Sequence, residues 1–149
     1  MARLEISFPD DFMSGLLDTD FEEIAAEALA EAAPLLEKSL KESCKMVIDH
    51  PGESELVDSI ACSKPKKART GAWIINVGPR GYSKRKFYRG TNNRRKRYPV
   101  SNALKMIWKE YGIAGRQAAR PFIRSAVNDA RGAVTRRMQE VYERKVKPR

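Results

Sequence analysis

Apolar positions along this chain fall into two long stripes with helical period and two short runs with strand character. Leu29, Ala33, Leu36, Leu40, Cys44 and Val47 recur at steps of three and four, and so do Ile123, Val127, Ala130, Val134, Met138 and Val141. The two stripes predict a first helix from about Asp20 to Ile48 and a last from about Pro121 to Lys145, packed on one another. Thr19-Asp20-Phe21-Glu22 has the spacing of a capping box at the start of the first. Pro34 lies inside it, removes a hydrogen bond and predicts a kink near residues 30–34. Pro121 suits the first turn of the last helix, with Phe122 in the core.

Between the stripes the period changes. Leu4, Ile6 and Phe8 alternate with polar residues and predict a short first strand, ended by Pro9 and Asp10-Asp11. Ala72 to Val77 is the clearest strand, closed by Gly78-Pro79, and Ile60 to Ser63 is a second. The two are expected to pair as an antiparallel hairpin around Lys66–Gly71. Ser101 offers an N-cap to a short amphipathic helix carrying Leu104, Ile107, Trp108 and Tyr111, with Gly112 at its C-terminal end. The whole reads as one α+β domain over residues 1–149: two packed helices, a small antiparallel sheet and a frayed tail at 147–149.

Charge sharpens this picture. Residues 1–60 hold four Lys or Arg against fifteen acids, a net of 4 − 15 = −11, and the rest hold 25 against four, or +21. Such asymmetry suggests a nucleic-acid footprint or a surface that mates with a complementary one. The basic charge is densest in residues 80–98, a predicted exposed loop or β-arm. It carries Arg80, Lys84, Arg85, Lys86, Arg89, Arg94, Arg95, Lys96 and Arg97 with Phe87 and Tyr88 among them, and no acid. This arm is the candidate partner- or DNA-facing region. Glu23, Glu27 and Glu31 on the first helix are candidates for a subunit interface, set against bases of a neighbouring copy.

Candidate chemistry is sparse. The sequence has no Gly-x-Ser-x-Gly, P-loop or dinucleotide fingerprint. Cys44, Cys62 and the single His50 fall in no zinc-ligand spacing, so the expectation is two reduced, mostly buried thiols and a solvent-facing turn histidine. No catalytic, metal or cofactor residue is assigned, and the chain is not expected to be an enzyme. No apolar run approaches the roughly 20 residues a bilayer-spanning helix needs, and the first residues do not read as a signal peptide. The protein is expected to start in the host cytoplasm, without a membrane partner.

One stretch carries a resemblance. Trp108-Lys109-Glu110-Tyr111-Gly112, a short spacer, and Ala118-Ala119-Arg120-Pro121-Phe122-Ile123-Arg124-Ser125-Ala126 resemble a widespread phage tail-component family. Members show a Glu-aromatic-Gly element, then Ala-Arg-Pro-Phe leading into a final helix. Leu56-Val57-Asp58-Ser59-Ile60 is similar to the family's Leu-x-x-Ser-Ile element. The resemblance implies a tail-completion or neck protein of a long-tailed phage, located at the virion's head–tail junction. It further implies a homo-oligomeric ring, hexameric in the family, between a neck connector and the tail terminator or tail tube, with transient DNA contact. Within it, Glu110, Tyr111, Gly112, Arg120, Pro121 and Phe122 mark the fold and not a reactive site. The alternative from the residues alone is a stand-alone nucleic-acid-binding protein, supported by the bases and aromatics of the arm.

Overall fold

The structure, a computed structural model, describes residues 2–5, 21–50, 53–88 and 97–146, with residues 2–5, 85–88 and 97 described by backbone alone. The elements run β1 (Ala2–Glu5), α1 (Phe21–Met46), α2 (Ser54–Asp58), β2 (Ile60–Cys62), β3 (Lys66–Lys67), β4 (Trp73–Pro79), β5 (Tyr82–Tyr88), β6 (Arg97–Ser101), α3 (Asn102–Tyr111) and α4 (Ile123–Val146). The fold is α+β, as the two periodicities predict.

Helices α1 and α4 form the axis. Their stripes meet: Ala32, Leu36, Leu40 and Cys44 pack with Ala126, Ala130, Val134 and Val141 in one core. The helices run antiparallel. Ser39 Oγ donates to the carbonyl of Ala126 at 2.9 Å near one end, and Arg144 reaches Glu27 near the other. Helix α1 stays helical through Pro34. Pro34 and Ala30, whose carbonyl loses its amide partner, are both exposed, so water can take the missing bond. Thr19, Asp20, Ile6 and Phe8 lie outside the described residues, and with them the capping box and the end of the first strand. Glu22 pairs with Lys67.

Strand β4 is the centre of the main sheet. Antiparallel β1 takes one edge, with Ala2 opposite Val77 and Glu5 opposite Ile74. β2 and β3 share the other: Cys62 lies opposite Val77, and Lys66 opposite Ile74. The register advances by one residue between them. Ser63 manages that shift, its amide donating to the Asn76 carbonyl at 2.8 Å and its hydroxyl accepting from the Asn76 amide at 2.9 Å. The predicted hairpin is thus present, closed at Ala68–Ala72 with Gly71 at φ +86°. Ile75 and Val77 enter the core against α1.

Strands β5 and β6 make a second, separate antiparallel pair, with Lys86 opposite Pro99 and Tyr88 opposite Arg97. The basic region is therefore a β-arm at its root. Proline in β6 costs no ladder bond that a further strand would need, because a two-stranded pair is all edge. Arg89, Arg94, Arg95 and Lys96 lie outside the described residues. No helix among the described residues is long and apolar enough to cross a membrane.

Candidate functional site

Helix α3 is built the wrong way round for a lone globular domain. Leu104, Ile107 and Tyr111 lie on one side of it by their spacing, yet they are 40%, 44% and 76% exposed. The opposite side is buried, and it consists of Asn102, Met106, Lys109 and Glu110. An amphipathic helix ordinarily buries its apolar stripe. Here Met106 enters the core together with three polar residues, and Leu104, Ile107 and Tyr111 are left in water.

The inward polar groups have fixed partners, apart from Asn102 Oδ1, which is buried without one among the described residues. Ser101 caps the helix, its Oγ accepting from the Leu104 amide at 3.2 Å. Asn102 donates from its amide to Gly81 at 3.0 Å and from Nδ2 to the Arg80 carbonyl at 2.8 Å, which ties the helix start to the root of the arm. Lys109 Nζ sits 2.8 Å from Glu53 Oε2 and 3.8 Å from Asp49 Oδ2. Glu110 Oε2 accepts from the amides of Phe122 at 2.8 Å and Ile123 at 3.0 Å.

That last pair explains the motif that carries the resemblance. Phe122 occupies the N-cap position of α4, since its carbonyl accepts from the Ala126 amide at 3.0 Å. A phenylalanine has no oxygen with which to cap, so Glu110 caps from α3 instead. Pro121 therefore stands just before the helix and not in its first turn. Phe122 itself is core, 2% exposed. Gly112 makes the close approach possible: its φ is +77°, and a Cβ there would lie 2.7 Å from backbone atoms of Gln117 and Ala119. Arg120 completes the clasp, its amide donating to the Lys109 carbonyl at 2.8 Å and its guanidinium pairing with Asp49. That guanidinium holds the Asp49 carboxyl below the usual carboxylate range.

Beside Tyr111 the chain makes a tight turn. Ile113 and Gln117 exchange backbone hydrogen bonds of 2.9 Å, and Gly115 takes φ +69°. The turn and Tyr111 line a shallow groove of about 640 Å³ that includes Ala114 and Arg116. Near the arm root, Tyr82 and Tyr98 are 68% and 39% exposed. A smaller cleft of about 350 Å³ at the end of α1 is lined by Lys45, Asp49, His50, Ser54 and Asp58. His50 is exposed, as a turn histidine should be. Among the described residues no His, Cys, Asp and Glu cluster could hold a metal ion.

The arm's residues divide. Arg80 is spent at the root: its amide donates to Ser59 at 2.8 Å, and its guanidinium donates to the Cys62 carbonyl. Lys84 is exposed, and its amide donates to Glu55 at 2.6 Å. Arg85, Lys86, Phe87 and Tyr88 lie in β5 and Arg97 in β6. The acids proposed for a subunit interface are engaged differently. Glu27 pairs with Arg144 at 2.9 Å and Lys145 at 2.8 Å, and Glu31 with Arg137 at 2.8 Å and Arg144 at 2.5 Å. The bases come from the same chain, because antiparallel packing brings the basic end of α4 onto the acidic start of α1. The bond from Lys145 lowers the Glu27 carboxyl, and Glu31 raises the Arg144 guanidinium. Glu23 also has an interaction partner. Both thiols are free; burial pushes Cys44 up to about 11 and Cys62, beside Glu37, to about 12.

Sequence reasoning missed the Lys109–Glu53–Asp49 cluster and the outward stripe. One signal was available: Arg-Pro-Phe-Ile-Arg opens a helix without Ser, Thr, Asp or Asn at its cap, so the cap must come from elsewhere. The chain matches no family model, no curated protein and no solved structure.

Proposed function

We propose that this protein is a structural assembly protein that completes a phage tail and joins it to the head, acting as a ring at the neck and not as an enzyme. The observation that carries the reading is the outward apolar stripe of α3 beside a cationic β-arm. Contiguous exposed apolar groups mark surfaces that are covered in the working state. The clasp under α3 makes that display rigid, so a partner meets a preformed surface at lower ordering cost. The resemblance of the Glu110–Gly112 and Arg120–Ala126 segments to the tail-component family supplies the biological setting.

Light scattering and electron microscopy of the purified protein, with and without tail tubes of a phage carrying this gene, test the reading. Ring-sized multimers or density at tube ends are the expected result. A monomer that ignores tubes and binds duplex DNA with a steep salt dependence overturns it in favour of a stand-alone nucleic-acid-binding protein.

A further inference from the structure

We infer that the outward face of α3 and the groove at the 113–117 turn form one docking site for an acidic amphipathic segment of a different protein. The inference deepens the assembly reading and rests on it for the existence of a partner. Tyr111 belongs to both features, ending the stripe and lining the groove, so the surface is continuous from Leu104 to Arg116. Its anchors are two aliphatic side chains and an exposed tyrosine at i, i+3 and i+7, the spacing that meets a partner helix. The groove wall is a hydrogen-bonded turn, so it is formed before anything binds.

Charge selects the partner. From Ser59 to Asn128 there are eighteen Lys or Arg and one acid, Glu110. Glu110 is buried and spent on the cap of α4. The carboxylates that the described residues place at α3, Asp49 and Glu53, are partly exposed but paired with Lys109 and Arg120. Lys105 and Arg116 make no ion pair among the described residues, and the arm enters at the other end of the helix.

Six of the chain's described acids are poor candidates for that visitor. Glu22, Glu27, Glu31, Glu37, Asp49 and Glu53 are all taken by Lys or Arg of the same chain. Among the described residues these six acids are met by bases of the same chain, whereas Lys105 and Arg116 are not met by acids. Nucleic acid fits less well, because interfaces with DNA are polar and this one is anchored by Leu104 and Ile107.

The probes are two fluorescent helical peptides of about 18 residues, long enough to hold a helix when bound. Both carry leucine at i, i+3, i+4 and i+7; one has Glu and the other Lys on its polar face. Anisotropy is read with the native protein, with Leu104→Ser/Ile107→Ser and with Arg116→Glu, after circular dichroism shows each to be folded. The Glu peptide is expected to bind about tenfold or more tighter than the Lys peptide and to lose about tenfold or more with either variant. Equal binding of the two peptides, no detectable binding of the Glu peptide, or binding that ignores Leu104→Ser/Ile107→Ser overturns the inference. So does a short DNA duplex whose binding needs Leu104 and Ile107. If light scattering shows a multimer that Leu104→Ser/Ile107→Ser breaks into monomers, the occupant is a second copy; the docking inference fails while the assembly reading stands. A protein that binds the Glu peptide through this face yet ignores tail tubes breaks the assembly reading alone.

Discussion

The α1–α4 pair and the α3–arm region use the same sequence signals to opposite ends. In the pair, apolar stripes at steps of three and four face one another, and the charged residues at their flanks meet opposite charges on the same chain. In α3 a stripe of the same period faces water, while a lysine and a glutamate point inward. The difference lies in what the polar side of each helix can find. Lys109 and Glu110 are offered two carboxylates and two orphan amides inside the fold. Glu27 and Glu31 are offered bases only at the rim. Helix α3 turns Leu104, Ile107 and Tyr111 outward while Lys109 and Glu110 find fixed partners on its other side.

Cutting into each stripe should give the largest contrast. Leu40 is fully buried between α1 and α4, and Leu40→Ala is expected to cost about 2–5 kcal/mol by chemical denaturation. Ile107→Ala, in a stripe of equal periodicity, should change stability by only about 0.5 kcal/mol or less while weakening assembly. A loss above about 2 kcal/mol for Ile107→Ala would mean the stripe is core after all.

The clasp comes next. Glu110→Ala leaves the buried Phe122 amide unpaired and should cost about 1–3 kcal/mol. Gly112→Ala forces a left-handed backbone and a 2.7 Å backbone clash, so an effect of at least that size is expected. Hydrogen exchange should show faster opening of the first turn of α4 in both. Unchanged exchange there would mean that α3 does not hold the start of α4.

Acid should act on the long pair gently. The carboxyls of Glu27 and Asp49 are lowered by Lys145 and by Arg120, respectively. A lowered folded value means stability present above the unfolded carboxylate range, near pH 4, and lost as pH falls through the folded value. Thermal midpoints measured from neutral pH downward should hold to about pH 5 and then decline. Glu27→Gln should flatten that decline slightly, since exposed pairs contribute little. The smallest effect is chemical: with Cys44 pushed up to about 11 and Cys62 to about 12, both should resist alkylation at mildly alkaline pH until the protein unfolds.

What the sequence makes legible follows from these physics. The stripes of α1 and α4 and the run Trp73–Val77 read correctly because each meets the core along its whole length. Helix α3 reads as a helix, with its Ser101 cap, but periodicity defines a face without saying what it faces. Its orientation depends on Asp49 and Glu53, more than fifty residues away in sequence, and on amides at Phe122 and Ile123. The sequence shows the charge of Glu27 and Glu31, but only the antiparallel packing shows that Arg137, Arg144 and Lys145 of the same chain reach them. Helix α2, of five residues, is too short to leave a period.

The antiparallel rods also give the molecule a fixed span. Helix α4 starts under the cap donated by α3 and runs 24 residues to Val146, a length of about 36 Å. Arg144 and Lys145 fasten its far end to α1, so it cannot swing freely. The two ends of α4 are therefore held a set distance apart, like two fittings on opposite ends of a strut. Shortening α4 by whole turns would draw the two together in steps of about 5.4 Å.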